Sequence, residues 1–232
     1  MECKKITVAI DGYSSTGKSS FARLIARKLS YIYVDTGAMY RAATLYCIEN
    51  NFINNCELNV DKIIENLKKI SIEFVFNTDA GKSDTFLNGK NVENKIRNVE
   101  ISNNVSAVSA IPEVRTQMVA LQREMGKNKG IVMDGRDIGT VVFPDAEIKI
   151  FMTAKPEIRA MRRYNELLQN GENVTLQEIE KNIRERDYID THRNTSPLKK
   201  ADDAVILDNS DISIDEQMQW FDKIFQSVIK KQ

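Results

Sequence analysis

Ile6-Thr7-Val8-Ala9-Ile10-Asp11-Gly12-Tyr13-Ser14-Ser15-Thr16-Gly17-Lys18-Ser19-Ser20 decides the fold of this chain. A short apolar run ends in a full G-x-x-x-x-G-K-S signature. Behind it Phe21, Ala22, Leu24, Ile25, Ala26 and Leu29 recur at helical spacing among Arg23, Arg27 and Lys28. Strand, glycine-rich turn and amphipathic helix form the context in which this signature means a phosphate-binding loop. Gly12 and Gly17 admit backbone conformations and close approaches that a Cβ hinders, so several N–H groups converge on phosphate oxygens at the positive end of the helix. Lys18 brings a mobile charge to the β- and γ-phosphates, and the Ser19 hydroxyl suits a ligand of the Mg²⁺ that bridges them.

Further strand-like runs appear at Tyr31 to Val34, Ile131 to Met133, Ile148 to Met152 and Ala204 to Leu207, separated by helical patterns. Parallel strands need crossover connections, so this alternation predicts an α/β fold with a doubly wound parallel sheet covered on both faces. In such sheets ligands bind beyond the carboxyl ends of the strands. Three polar motifs stand there: the glycine-rich loop, Asp35-Thr36-Gly37, and Asp134-Gly135-Arg136-Asp137. The stretch from about Ile70 to Val92 breaks the pattern: Ser71 to Phe76 alternates polar and apolar residues, and Asn88-Gly89 favours a type I′ turn. It predicts a small antiparallel insert, preceded by a short helix over Asn59 to Lys69. A closing core helix is predicted from Met218, Phe221, Ile224, Phe225 and Val228, with Trp220 packed or partly exposed.

Bulk properties exclude several function classes. Lys and Arg total 33 and Asp and Glu total 33 in 232 residues, so no global field recruits nucleic acid or an anionic membrane, and anion recognition must be local. Cys3, Cys47 and Cys56 lack C-x-x-C spacing, which indicates neither a disulfide framework nor a zinc site. Met1-Glu2-Cys3-Lys4-Lys5 leads straight into a strand, and no long apolar segment follows, so a cytoplasmic protein is expected. His192 is the single histidine, which argues against His-dependent triads and multi-His metal sites and suits a solvated position. No coiled-coil seam is visible, and a monomer is expected.

Arginine placement points to a second anion. Arg41 lies one turn into the helix after Asp35, where a guanidinium grips phosphate bidentately. Asp134 ends a buried-looking strand opposite the phosphate loop and suits the Mg²⁺ shell, while Arg136 and Asp137 face an acceptor. Along the helix from Thr175 to about Arg193, the apolar stripe of Leu176, Ile179 and Ile183 continues as Arg186, Asp190 and Arg193. Charges directed inward on one face are very costly unless a ligand meets them. Arg159, Arg162 and Arg163 share a face after Pro156 and suit a lid that closes over phosphates.

With these motifs assembled, the chain resembles the bacterial cytidylate kinases, of the nucleoside monophosphate kinase group. The resemblance covers nearly the whole chain and rests on the phosphate loop, Asp35-Thr36-Gly37-Ala38-Met39-Tyr40-Arg41, Ser106 to Arg115, Asp134 to Ala146 and Arg184-Glu185-Arg186-Asp187. It implies a five-stranded sheet of order 2-3-1-4-5 in one domain over 1–232. The core would be about 1–38, 98–153 and 195–232, the acceptor-binding insert about 39–97 and the lid about 154–194. It implies ATP and Mg²⁺ as co-substrate and cofactor, CMP or dCMP as acceptor, and no nucleic-acid or membrane partner. By the same resemblance, ATP would be held by Gly12, Tyr13, Ser14, Ser15, Thr16, Gly17, Lys18, Ser19, Ser20, Arg159 and Arg162, and Mg²⁺ by Ser19 and, through water, Asp134. Ser106, Arg115 and Asp137 would read cytosine, Thr36 would lie beside the nucleotide, and Asp190 would hold the ribose. Arg41, Arg136, Arg186 and Arg193 would surround the acceptor phosphate, and Lys18, Arg136, Arg186, Arg193 and Arg159 would assist transfer. The family often has Pro, Gly and Ser where Tyr13, Ser15 and Thr36 stand here. A UMP/CMP or deoxynucleotide kinase, or a nucleotide-binding module without turnover, are the rival expectations. A GTP-dependent switch would need the guanine-reading N-K-x-D that this chain lacks.

Overall fold

The computed structural model describes residues 5–54, 57–78 and 82–230. In chain order, β1 (Thr7–Gly12) leads through the glycine-rich loop to α1 (Lys18–Leu29), and β2 (Ile32–Asp35) runs into α2 (Thr36–Glu49). There follow β3 (Ile53–Asn54), β4 (Glu57–Leu58), α3 (Val60–Asn66), β5 (Ile72–Asn77), β6 (Lys82–Leu87) and β7 (Lys90–Asn91). Next come α4 (Val99–Ala110), α5 (Pro112–Met125) and β8 (Ile131–Gly135), with a π-helical turn at Ile138–Val142. The chain closes with β9 (Ile148–Thr153), α6 (Pro156–Gln169), α7 (Leu176–His192), β10 (Val205–Asp208) and α8 (Ile214–Ile229).

β2, β8, β1, β9 and β10 form one parallel sheet in that order. Counted along the chain the order is 2-3-1-4-5, as the resemblance implied. Alternation along the central strands sends side chains to two separate cores. Ala9, Ile131 and Met133 pack with α2, α4 and α5, whereas Val8, Ile10, Val132, Ile148 and Ile150 pack with Phe21 and Ile25 of α1 and Phe221 of α8. Phe21 and Phe221 meet edge to face at 6.3 Å, and Trp220 packs partly buried against that core. All five parallel strands therefore deliver their carboxyl ends to one edge, where the three polar motifs stand.

The insert is built as its alternation predicts. β5, β6 and β7 form an antiparallel sheet, and Asn88 and Gly89 have φ of 49° and 76°, the left-handed pair a type I′ turn requires. The short β3–β4 pair has no counterpart in the sequence reading, since two residues per strand leave no periodicity. Helix starts follow local chemistry: Asp35 and Asn98 cap α2 and α4, Pro112 and Pro156 open α5 and α6, and Thr175 and Ser213 complete capping boxes on α7 and α8. Ala160, Leu167, Ile179 and Ile183 give α6 and α7 a small core of their own. Among the described residues no helix is long and apolar enough to cross a membrane.

Candidate active site

The phosphate loop is shaped by its passage over β9. Gly12 has φ of 149°, and a Cβ there would stand 2.0 Å from the Met152 carbonyl oxygen, so no other residue fits. Beyond it Lys18 folds back into the loop, its Nζ donating to the Tyr13 carbonyl at 2.5 Å and to Thr16 Oγ1 at 3.3 Å. Burial, and then the nearby Arg136, lower its pKa to about 7. The neighbouring carboxylates only partly offset them. A buried ammonium so weakened is matched to a ligand that brings negative charge.

Ser19 and Asp134 form the second part. The Ser19 hydroxyl donates to Asp134 Oδ2 at 3.0 Å, and the Tyr33 hydroxyl donates to Oδ1 at 2.8 Å. Burial and the adjacent Asp35 raise the Asp134 pKa to about 6. A hydroxyl beside a carboxylate is an all-oxygen donor set suited to Mg²⁺, which takes one or two protein ligands and shares the rest with phosphates and water. Among the described residues there is no group of three or more His, Cys, Asp or Glu placed to hold a metal ion.

On the opposite wall, Arg136 and Asp137 follow directly from β8. Arg136 Nε donates to Asp190 at 2.8 Å, which joins this turn to the last turn of α7. Arg115, 1% exposed, ion-pairs with Asp137, donates to the Ser109 carbonyl at 3.2 Å and stands 5.4 Å over the Tyr40 ring. Ser106 is buried on the same wall. Thr36 Oγ1 donates to the Asp134 carbonyl at 2.7 Å, and Arg41 pairs with Asp35 at 2.9 Å. Burial alone would raise the Asp35 pKa, but Arg41 and Arg97 outweigh it and hold the carboxyl near 2. Arg186 Nη1 donates to Ser102 Oγ at 3.2 Å; burial and Arg136 lower its pKa to about 10. Arg193 caps α7 and lies 3.7 Å from Asp190 and 3.8 Å from Asp137. The charged continuation of the α7 stripe thus does face inward.

These elements enclose a cleft of about 280 Å³. Nine basic and five acidic side chains line it, a local excess of positive charge in a chain that is neutral as a whole. Arg41 Nε, Arg115 Nε, Arg186 Nε, Arg193 Nη2 and the Tyr40 hydroxyl are buried there without a hydrogen-bond partner in the chain. Each unpaired buried donor costs on the order of 1–3 kcal/mol. Four guanidiniums in one cleft, each with one buried N–H donor left without a hydrogen-bond partner, fit an anionic, oxygen-rich ligand.

Not every residue singled out in the sequence lines this cleft. Tyr13 packs edge-on against Phe151 at 5.8 Å and lies under Arg159, whose guanidinium carbon is 5.4 Å from the ring centre. Arg159 is buried, donating to the carbonyls of Ala154 and Ser14 and pairing with Asp187. Arg162 donates to the Thr16 carbonyl at 3.2 Å and to Asn209. Ser14 donates through its amide at 3.1 Å and its hydroxyl at 2.7 Å to Asp187. In this arrangement Arg159, Arg162 and Asp187 fasten α6 and α7 to the phosphate loop, while Arg163 lines the cleft.

Asp11, Tyr33, Arg97, Asn209 and the anchoring role of Asp187 were not read from the sequence. Asp187 lay in a motif already noticed; the others are placed only by contacts between distant segments. His192 is exposed and stacks on Tyr188, in keeping with its solvated reading. Cys47 is buried, and burial raises its thiol to about 12, whereas Cys3, Cys56 and the run from Met1 to Lys4 lie outside the described residues.

Comparison with known proteins points to one family. A family model described as cytidylate kinase matches residues 8–228. The chain is 56% identical to the cytidylate kinase of Bacteroides thetaiotaomicron, covering 98% of this chain and 100% of that one. It is 55% identical to the cytidylate kinase of Flavobacterium johnsoniae, covering 98% and 99%. Among solved structures, an uncharacterized protein from Eubacterium ventriosum superposes with a TM-score of 0.52 at 12% identity, over 97% of this chain and 99% of that one, a likeness of fold alone.

Proposed function

The chain belongs to the cytidylate kinase family, and from that premise we propose that it transfers the γ-phosphoryl group of ATP to CMP or dCMP, giving ADP and CDP or dCDP. The observation that carries this reading is the set of unpartnered guanidinium donors of Arg41, Arg115, Arg186 and Arg193 across one cleft from Lys18 and Ser19.

Transfer between two phosphates needs positioning and charge neutralisation more than a side-chain nucleophile, because the attacking oxygen is already anionic. Lys18 leaves the Tyr13 carbonyl for the β- and γ-phosphates, and the loop amides from Ser15 to Ser20 orient them. Arg41, Arg136, Arg186 and Arg193 hold the acceptor phosphate and the charge that spreads over the transferring group. Ser19, and Asp134 through water, would hold Mg²⁺, which when bound neutralises phosphate charge. Arg159 and Arg162 act by keeping the α6–α7 lid, about 154–194, on the loop that carries ATP, and the insert, about 39–97, closes on the acceptor.

Base choice follows from the buried Arg115–Asp137 pair. Cytosine offers an amino donor to the carboxylate and acceptors to the guanidinium and Ser106. Uracil would set a carbonyl oxygen against Asp137, a buried mismatch that is strongly penalised. Asp190, on the helix behind, holds the ribose. A local excess of positive charge in the cleft of a chain that is neutral as a whole supports small anionic substrates over nucleic acid or a membrane, and the enzyme is proposed to act as a cytoplasmic monomer.

ADP release measured with CMP, dCMP, UMP and AMP as acceptors tests the reading. CMP and dCMP are expected to be the good substrates. A preference for AMP, or equal use of all four, would reassign the acceptor.

A further inference from the structure

The turn that presents Arg136 and Asp137 is not held by its own residues. The π-helical turn Ile138–Val142 begins after Asp137, whose side chain makes no capping hydrogen bond to it. An aspartate in that position ordinarily accepts the free N–H groups of the first turn. Here those N–H groups are taken by a residue from another strand: the Asp11 carboxylate accepts from Ile138 N and Gly139 N, both at 2.8 Å. Asp11 is 5% exposed, sits directly before Gly12 and pairs in register with Gly135 across β1 and β8. Released from capping, the Asp137 carboxylate turns to Arg115 and Arg193.

We propose that Asp11 is a positioning residue for the acceptor: by capping the turn from β1 it frees Asp137 to read the base and registers Arg136 and Asp137 against the phosphate loop. This rests on the assignment of Arg136, Asp137 and Arg115 to the CMP side of the cleft. The same strand end then starts the donor loop through its backbone and holds the acceptor loop through its side chain. Removing an Asp11 acceptor oxygen leaves Asp137 as the nearest cap for its own turn, and every degree it rotates toward those N–H groups takes it from Arg115. The cost falls on CMP and on the choice between CMP and UMP, not on ATP.

Asp11→Asn tests this directly, since the amide keeps the shape but accepts at one oxygen and sets an NH₂ group against the second backbone donor. Asp11→Ser keeps a small polar side chain but offers a single acceptor too short to cap both N–H groups, and serves if the first variant does not fold. Binding of CMP, UMP and a non-hydrolysable ATP analogue is measured calorimetrically, each alone, on folded wild type and variants. For Asp11→Asn the expectation is about 10- to 100-fold weaker CMP binding, a CMP/UMP preference reduced about tenfold or more, and ATP-analogue affinity within about threefold of wild type. Asp11→Ser should show the same selective pattern, of similar size or larger. Variants that keep the wild-type CMP affinity and preference overturn the proposal, as does a parallel loss of CMP and ATP-analogue binding, which is what a merely structural role would give. A wild type that fails to bind CMP would instead remove the assignment on which the proposal rests.

Discussion

Ser19 and Asp134, 115 residues apart in the chain, meet at 3.0 Å, hydroxyl to carboxylate, where the phosphate loop passes the end of β8. The contact joins the donor loop to the strand that carries the acceptor turn. With the Tyr33 hydroxyl on its other oxygen, Asp134 is held in one orientation facing the loop. Asp134→Asn is expected to raise the Mg²⁺ concentration for half-maximal velocity about 10- to 100-fold. It should not lower the urea midpoint of the free protein at pH 7, because the buried carboxyl it replaces is held at about 6 against its desolvation. Mg²⁺ titration of velocity, with urea unfolding alongside, checks both parts.

In the proposed reaction Lys18 is the cation that meets the ATP phosphates. Lys18→Met is expected to lower kcat about 10²- to 10⁴-fold, with CMP affinity nearly unchanged. Retained wild-type turnover would remove Lys18 from the reaction. Because its pKa is lowered to about 7 in the free protein, the amine is mostly neutral at pH 8, and an arriving triphosphate raises it. ATP binding should therefore take up protons, which calorimetry in buffers of different ionisation enthalpy reads directly. Lys18→Met should abolish most of that uptake.

Arg186 and Arg193 continue the apolar stripe of α7 as buried charge. Either residue changed to Ala is expected to lower kcat/KM about 10²- to 10³-fold; for Arg186→Ala the melting temperature should stay level or rise, since burial already disfavours the Arg186 charge. Unchanged kinetics in both variants would reduce the stripe to a structural feature.

Stability of the nucleotide-free protein should pass through a trough near neutral pH. Asp11 and Asp134 are raised by burial from 3.8 to about 7 and about 6, so the folded chain binds more protons than the unfolded one between those values. Their contribution is full below pH 4 and lost as pH rises through 6 to 7. Lys18, lowered from 10.5 to about 7, works in the other direction: the unfolded chain holds the extra proton above pH 7, and stability rises from there toward 10.5. Asp35, lowered to about 2, contributes above pH 3.8 and is lost only as pH falls toward 2. Urea midpoints at pH 5, 7 and 9 should be lowest at 7, with the acid limb flattened in Asp11→Asn. A midpoint that rises from pH 5 to 7 contradicts the assignment.

Much of this site was legible in the sequence because its parts are local. The phosphate loop carries its own strand and helix, the acidic turn follows an apolar run directly, and the arginines of α7 announce themselves by changing chemistry without changing face. The five parallel strands and the Asn88-Gly89 turn were readable for the same reason. What stayed hidden depends on distant partners. Asp11 reads as the polar end of a strand until Ile138 and Gly139 arrive 127 and 128 residues later. The π-helical turn leaves no hydrophobic period over five residues. Arg159 reads as a lid finger by spacing, and only the fold shows it packed on Tyr13 and paired with Asp187.

The proposed transfer runs from the Lys18 side of the cleft to a phosphate held on the Arg186 and Arg193 side. Single-turnover reaction of γ-labelled ATP with CMP, with products separated by chromatography, tests it most directly. The label is expected to leave ATP as labelled CDP, one CDP for each ADP, with no ADP formed without CMP. Label released as inorganic phosphate, or ADP formed at the same rate without CMP, would contradict it.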